Sequence, residues 1–276
     1  MKVQSILLVI LPFWTLGAHA GTIDLGAADT YAVLAGSTVT NTGTTSVYGN
    51  LGLTPGSAVT GFPPGDVVPP GIENIDNGPA IAAQSALTTA YDSAAGLPCT
   101  DNLTGEDLGG MTLTPGVYCF NSSAQLTGTL TLNAEGNPSA EFVFQIGSTL
   151  TTASSSIIDF INTNGGLPDP NLFWQVGSSA TLGTSTAFAG NILAETSITL
   201  TTGSSISCGS ALAQNGAVTM DDNVVSIYGC ETSSGGVPEP GTATLLGVGL
   251  LLSLMVYRRR KLLDWSYSRV TRVPSR

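Results

Sequence analysis

The central part of the chain repeats one short pattern, a threonine followed by a leucine or methionine. It occurs at Thr112-Leu113, Thr129-Leu130, Thr149-Leu150, Thr181-Leu182, Thr199-Leu200 and Thr219-Met220. Successive threonines are 17, 20, 32, 18 and 20 residues apart. This spacing favours a three-sided β-solenoid with about 20 residues per coil over helical repeats of about 33 to 47 residues. The long interval contains residues 162–171, whose turn-forming composition predicts a loop pushed out of one coil.

Side chains alternate between the two faces of a strand, so the apolar residue of each pair is predicted to point inward and the threonine outward. One predicted outward row is Thr149, Thr181, Thr199 and Thr219. A second predicted row, two residues further on, is Thr114, Thr131, Thr151, Gly183, Thr201 and Asp221. Stacked coils would space equivalent residues about 4.8 Å apart, giving a flat grid of hydroxyl and methyl groups that resembles a crystal face. The alternative is that threonine simply suits an exposed strand.

One segment has the pattern of a helix, from about residue 79 to residue 95. Pro79 suits a first helical position, and Gly96 and Pro98 end the segment. A single narrow apolar stripe runs along it, formed by Ala83, Leu87, Ala90, Tyr91 and Ala94. One such stripe predicts that the helix lies along the side of the solenoid.

Charge is distributed very unevenly along the chain. The eight Lys and Arg residues are Lys2 and seven residues from Arg258 onward, while 18 of the 19 carboxylates lie between them. The solenoid is therefore a polyanion, which excludes nucleic acid as a partner. A polysaccharide lyase or hydrolase is the enzyme alternative, and Glu106-Asp107 and Asp221-Asp222 would be its acidic pairs. Solvated turn residues are the competing interpretation of both pairs, and no cofactor is expected.

The chain contains four cysteines, Cys99, Cys119, Cys208 and Cys230. Four cysteines in an exported chain favour disulfides, and three pairings are possible. We favour the local pairs 99–119 and 208–230, each separated by about one coil. No metal site is expected, because zinc sites usually draw on CxxC pairs or histidines and this chain has no CxxC and only His19.

The two termini predict export. Residues 1–20 have the basic start, the apolar core and the Ala-His-Ala end of a signal peptide, so signal peptidase is an expected partner and the mature chain would begin at Gly21. The solenoid is predicted to span 21–230, followed by a Gly/Ser linker at 231–236. An apolar run at 242–257 precedes Arg258-Arg259-Arg260-Lys261, which predicts passage through the inner membrane with the basic end in the cytoplasm.

Residues 237–261 resemble the PEP-CTERM sorting signal of Gram-negative bacteria. The match includes Val237, Pro238, Glu239 and Pro240, the apolar run and the basic cluster. The resemblance implies that an exosortase processes the protein at this motif. Transient anchoring in the inner membrane and release to the cell surface or extracellular matrix would follow, with 262–276 as a cytoplasmic tail.

The solenoid itself resembles the ice-binding (antifreeze) β-solenoid family. The similar segments include YAVLAGSTVTNTG at 31–43, GNLG at 49–52, VTGFPPG at 59–65, LTPGVY at 113–118, FQIGSTLTT at 144–152 and FWQVGSSATLGT at 173–184. The resemblance implies an all-β fold, a discontinuous right-handed three-faced β-helix with one long α-helix packed alongside. It also implies that one flat face binds ice.

The ice surface is therefore the expected main partner. The candidate residues for the binding face are Thr129, Thr131, Thr149, Thr151, Thr181, Thr199, Thr201 and Thr219. The other interpretation from a different class is a structural or adhesive protein of the extracellular matrix without ice affinity, which the linker and sorting signal would equally suit.

Overall fold

The computed structural model describes residues 23–163 and 171–228. Within this part the chain forms one α-helix, α1 (Gly78–Ala95), a short 3₁₀ turn at Gly26–Ala28 and 24 strands, numbered in chain order. The strands are β1 (Tyr31–Ala35), β2 (Thr38–Thr42), β3 (Ser46–Tyr48), β4 (Asn50–Leu53), β5 (Ala58–Thr60), β6 (Asp66–Val67), β7 (Glu73–Ile75), β8 (Asp101–Asn102), β9 (Thr112–Leu113), β10 (Gly116–Phe120), β11 (Ala124–Leu126), β12 (Thr129–Asn133), β13 (Phe142–Ile146), β14 (Leu150–Thr152), β15 (Ile157–Ile161), β16 (Leu172–Val176), β17 (Ala180–Leu182), β18 (Ala187–Ala189), β19 (Asn191–Ala194), β20 (Ile198–Leu200), β21 (Ser205–Ser207), β22 (Ala211–Ala213), β23 (Val218–Asp221) and β24 (Val224–Ser226).

The strands form three parallel sheets, one for each side of the solenoid. Sheet A has the order β7-β4-β1-β22-β19-β16-β13-β10-β8, sheet B the order β11-β14-β17-β20-β23-β2-β5, and sheet C the order β6-β3-β24-β21-β18-β15-β12-β9. Each complete coil contributes one strand to each sheet in turn. The predicted three-sided solenoid is therefore confirmed.

The order of the coils in space differs from their order in the chain. The first coil, β1 to β3, pairs along all three sheets with the last coil, β22 to β24. The second coil, β4 to β6, stacks outside the first. Helix α1 then separates these coils in sequence from β8, which starts the remaining coils at the other end. This arrangement confirms the predicted discontinuity of the β-helix.

Apolar ladders and an aromatic stack fill the interior. The rings of Tyr118, Phe144, Trp174 and Phe188 follow one another through four strands, and the Phe144 and Trp174 ring centroids are 3.9 Å apart with 7° between planes. Trp174 is fully buried, and its Nε1 donates to the Ala189 carbonyl at 3.1 Å. Stacked rings bury large areas without leaving a polar group unpaired, so they support the coils from inside.

Helix α1 covers the outer surface of sheet A. Asn77 caps it by accepting a hydrogen bond from the Ala80 N–H at 3.1 Å, as expected for a residue at this position. The buried positions are Ala80, Ala83, Leu87, Ala90 and Ala94. These residues pack on outward apolar side chains of sheet A, among them Leu34, Val143, Phe173, Leu193 and Leu212. The helix bounds agree with the predicted segment, and its small residues allow close approach to the sheet.

A disulfide joins the end of the helical region to sheet A. Cys99 and Cys119 are bonded, with their Cα atoms 5.9 Å apart. Cys208 is also disulfide-bonded, and its predicted partner, Cys230, lies outside the described residues. Three other predicted features also lie outside them: the signal peptide, most of the 162–171 loop, and the linker with the sorting signal. No helix among residues 23–163 and 171–228 is long and apolar enough to span a membrane.

The packing of α1 gives a first prediction. Replacing Leu87 by Ala leaves a cavity between helix and sheet, because Leu87 is fully buried. Such a change costs about 2 to 5 kcal/mol of unfolding free energy, measurable by denaturant titration. Ile81 lies on the same helix but is 55% exposed, so the control Ile81→Ala should change stability by less than about 0.5 kcal/mol. Equal losses in the two variants would contradict the packing described here.

Candidate functional site

The three sides of the solenoid differ in what lies on their outer surfaces. Sheet A is covered by α1, and Gln145 of β13 strengthens this contact by donating to the carbonyls of Ala94 and Leu97 at 2.7 and 2.8 Å. Sheets B and C are not covered by any described segment in this way. A large binding surface among the described residues must therefore lie on sheet B or sheet C.

Sheet B carries a continuous row of outward threonines, which we call the threonine row. Its members occupy equivalent positions on six neighbouring strands: Thr151, Thr181, Thr199, Thr219, Thr40 and Thr60. Strand spacing makes the row about 24 Å long. Gln125 continues the row by one further coil, at the β11 end of the sheet.

Simple alternation holds these threonines outward. In β20, Ile198 and Leu200 are buried on either side of Thr199, and in β23, Val218 and Met220 are buried on either side of Thr219. Burying the two apolar neighbours fixes the rotation of the strand, so the threonine between them must face outward. Within the row, the Thr40 hydroxyl donates to the Thr219 hydroxyl at 3.2 Å.

Two shorter polar rows flank the threonine row. The residues that precede the sheet B strands on one side are Ser123, Thr149, Ser179 and Ser197. The Thr149 hydroxyl donates to the Ser123 hydroxyl at 2.8 Å. On the other side Thr42 pairs with Asp221, and Thr201 follows β20. The face therefore presents mainly hydroxyl and methyl groups over three parallel rows.

The structure corrects the predicted alignment of the repeated pattern. Thr129 and Thr131 lie in β12 on sheet C, where Thr131 pairs with Thr112, so they do not share a face with Thr181. Thr149 is on the sheet B side but two residues out of register, because Thr151 is the residue that pairs with Thr181. The corners between strands vary in length, so the same dipeptide falls on different sides in different coils.

Thr40 and Thr60 were not among the candidate residues. They lie in the first two coils, before the region where the Thr-Leu pattern repeats. They join the row only because β2 pairs with β23 across nearly 180 positions of sequence. The local signal was the alternation in Thr38-Val39-Thr40, which predicts a strand but does not indicate its neighbours.

Sheet C presents a less regular surface. Its most continuous outward row is Thr129, Ile157, Ala187, Ser205, Val224, Ser46 and Asp66. Ile157 and Val224 are 43% and 45% exposed, and the row ends in a carboxylate. Neighbouring side chains thus differ in size, polarity and charge, which prevents a repeating pattern of surface groups.

The threonine row itself carries no charge, and three carboxylates near sheet B, those of Asp107, Asp221 and Asp222, accept hydrogen bonds. Asp107 accepts hydrogen bonds from the Gly109 and Thr127 N–H groups, each at 2.8 Å. Burial raises the pKa of Asp107, but these hydrogen bonds outweigh it and hold the pKa below its usual value. Burial raises the pKa of Glu141, which lies outside sheet B, just before β13. Among residues 23–163 and 171–228, no group of three or more His, Cys, Asp or Glu side chains could hold a metal ion.

Two families match this chain. The ice-binding-like family matches residues 33–226, and the PEP-CTERM protein-sorting motif matches residues 236–261. The ice-binding protein of Nostoc sp. (strain HG1) is 53% identical over 269 residues, which cover 95% of this chain and 97% of that protein. The ice-binding protein of Flavobacterium frigoris (strain PS1) is 34% identical, covering 74% of this chain and 76% of that protein.

A solved structure is similar over most of its length. The crystal structure of an ice-binding protein from an Antarctic biological consortium is 41% identical and superposes with a TM-score of 0.70. The match covers 82% of this chain and 96% of that one. At this identity and coverage the likeness extends to the whole solenoid.

Proposed function

Because this chain belongs to the ice-binding-like family, we propose that it adsorbs to ice through the threonine row of sheet B and its two flanking rows. The single observation that supports this choice of face is the register of six threonines on neighbouring strands. The relatives described above are ice-binding proteins. Adsorption would inhibit ice growth and recrystallisation, or hold a cell to ice.

The chemistry of the face suits a solid water surface better than a dissolved ligand. Each threonine offers one hydroxyl that can both donate and accept and one methyl group that water must enclose. Repeated at strand spacing, these groups favour an ordered layer of water above the sheet. Thr151, Thr181, Thr199 and Thr219 each lie between two buried neighbours, so these strands cannot rotate their threonines away and many weak contacts with ice can form together.

The proposed face involves no covalent chemistry. Asp107 and Asp221, one from each acidic pair weighed as catalytic groups, are engaged by turn hydrogen bonds from backbone or hydroxyl donors. Glycoside hydrolysis uses two carboxyl groups that face the scissile bond from either side, and carboxylates held by turn hydrogen bonds are poorly placed for that role. We therefore propose a non-enzymatic binding protein.

Export is the second part of the proposal. The PEP-CTERM motif at residues 236–261 supports sorting to the cell surface or the extracellular space. We further propose that residues 1–20 are removed by signal peptidase, that residues 242–257 anchor the protein transiently in the inner membrane, and that an exosortase acts at Val237, Pro238, Glu239 and Pro240. The solenoid would then meet ice outside the cell.

A tyrosine on the threonine row should block adsorption. Thr181→Tyr places a ring above the row and holds neighbouring groups away from the ice lattice, so we expect most ice-affinity partition and recrystallisation inhibition to be lost. Thr181→Ser removes only a methyl group and should cause a smaller loss. The melting temperature should stay within a few degrees, because exposed strand sites tolerate aromatic residues.

The matched control is Thr131→Tyr, which makes the same change at a partly exposed strand threonine on sheet C. It should leave adsorption unchanged. If both variants lose adsorption equally, or if neither variant loses any, sheet B is not the binding face. Absence of any adsorption by the wild-type protein would favour the matrix-protein interpretation.

We also include Thr40 in the proposed face because it pairs with Thr219, and this choice gives a separate prediction. Thr40→Tyr should reduce ice adsorption about as much as Thr199→Tyr, because both positions pair directly with Thr219. The two residues lie at opposite ends of the solenoid sequence, so this result depends on the fold. If Thr199→Tyr does not adsorb to ice and Thr40→Tyr adsorbs fully, the ice-binding part of the threonine row ends at Thr219.

The sorting proposal predicts an effect of charge on topology. Changing Arg258, Arg259 and Arg260 to Glu removes the basic flank of the apolar run and should reduce export of the solenoid, measured by protease accessibility in intact cells. Changing Arg269, Arg272 and Arg276 to Glu alters the charge by the same amount further from the run, and should have a smaller effect. Cytoplasmic wild-type solenoid would contradict both the signal-peptide and the anchor assignments.

A further inference from the structure

The threonine row crosses a seam between two distant parts of the chain. On one side of the seam is β23, in the last coil, and on the other is β2, in the first coil. Thr219 and Thr40 face each other across it. Elsewhere in the row, from Thr151 to Thr219, neighbouring strands belong to consecutive coils of one continuous chain segment. A surface that binds a lattice needs the spacing at the seam to equal the spacing elsewhere.

Asp222 joins the two coils immediately beside this seam. Its Oδ1 accepts from the Thr44 N–H at 2.6 Å and from the Thr44 hydroxyl at 3.0 Å. Its own N–H donates to the Thr42 carbonyl at 3.0 Å. Charge-assisted hydrogen bonds of this kind are stronger than neutral ones, so the Asp222 side chain stabilises the turn that follows β2.

Gly43 allows the close contact between Asp222 and this turn. A Cβ atom at residue 43 would lie 2.3 Å from Asp222 Oδ1, and the backbone φ there is +78°. Both the close approach and the left-handed conformation require glycine. The sequence Gly43-Thr44 in the first coil is thus complementary to Asp222 in the last coil.

Asn223 continues the connection to the coil on the other side. Its N–H donates to the Thr45 hydroxyl at 3.0 Å in the first coil. Its Nδ2 donates at 2.9 Å to the carbonyls of Thr201 and Ser204 in the preceding coil. Asn223 is buried, and its bonds to Thr45 and Ser204 are protected from water. One residue therefore ties together three neighbouring coils along the edge of sheet B.

We propose that Asp222 and Asn223 form a latch that holds β2 in register with β23 and so keeps the threonine row continuous across the seam. They are positioning residues, which act through Thr40 and Thr219 without touching ice themselves. This inference deepens the proposed function and rests on it. It gives a role to Asp222, one residue of the Asp221-Asp222 pair that was weighed above as an acidic catalytic pair.

The test compares three substitutions in the full solenoid. Asp222→Ala removes the acceptor, and should reduce ice-affinity partition several-fold while circular dichroism at the assay temperature shows a folded protein. Asp222→Asn keeps an acceptor oxygen and should restore most of the adsorption. Asp107→Ala is the control. Asp107 also accepts a hydrogen bond from an N–H group of a neighbouring coil, that of Thr127 at 2.8 Å, but it lies beyond the end of the threonine row. It should adsorb like the wild type.

A second readout does not depend on ice. The Thr44 amide loses its hydrogen-bond acceptor in Asp222→Ala, so hydrogen exchange at this amide should be about tenfold faster. The increase should be much smaller in Asp222→Asn. Gly43→Ala should reproduce both effects of Asp222→Ala. If a folded Asp222→Ala protein adsorbs to ice like the wild type, the positioning role is overturned but ice binding is not. If hydrogen exchange at the Thr44 amide is unchanged in Asp222→Ala, the latch itself is overturned. A wild-type protein that does not adsorb would instead overturn the proposed function, and the positioning role with it.

Discussion

The parallel pairing of the first coil with the last coil is the interaction on which the rest of this structure depends. It aligns β1 with β22, β2 with β23 and β3 with β24, one pair in each sheet. Closing a contact over nearly 180 residues costs more chain entropy than any local contact, although the cost grows only slowly with length. The pairing therefore needs support from burial on all three sides, and it determines where the second coil and α1 can lie.

The same interior that stabilises the pairing also makes the outer surface regular. Apolar residues such as Ile198, Leu200, Val218 and Met220 are buried at fixed positions in successive coils, and the aromatic stack around Trp174 fills another part of the core. Close packing leaves little freedom for a strand to rotate or slide. An outward threonine between two buried residues is consequently held at the strand spacing. Regularity of the face is thus a consequence of core packing.

Helix α1 decides which side is free for function. It covers sheet A through Leu87 and the neighbouring alanines, and the Gln145 amide bonds its last carbonyls. Sheet C carries large exposed side chains such as Ile157, whereas the threonine row of sheet B presents small, repeated, uncharged groups. The covered side and the chemistry of the remaining sides both support the proposal that sheet B is the binding face. Two acidic residues near that face, Asp107 and Asp222, have structural partners in turns.

The sequence by itself determined the solenoid, the helix and the outward orientation of the threonines beside apolar residues in the repeated pattern, because those properties depend on local alternation and on a repeat length of about 20 residues. It also indicated the family, and it favoured the Cys99–Cys119 pair among three possible pairings, which the structure confirms. It did not determine which threonines share a side, since corners of variable length move the same dipeptide between sheets, as Thr129 and Thr181 demonstrate. Nor did it place Thr40 and Thr60 beside Thr219, because that neighbourhood comes from a long-range pairing. Only the tertiary structure, through the register between coils, decided which residues form one continuous face.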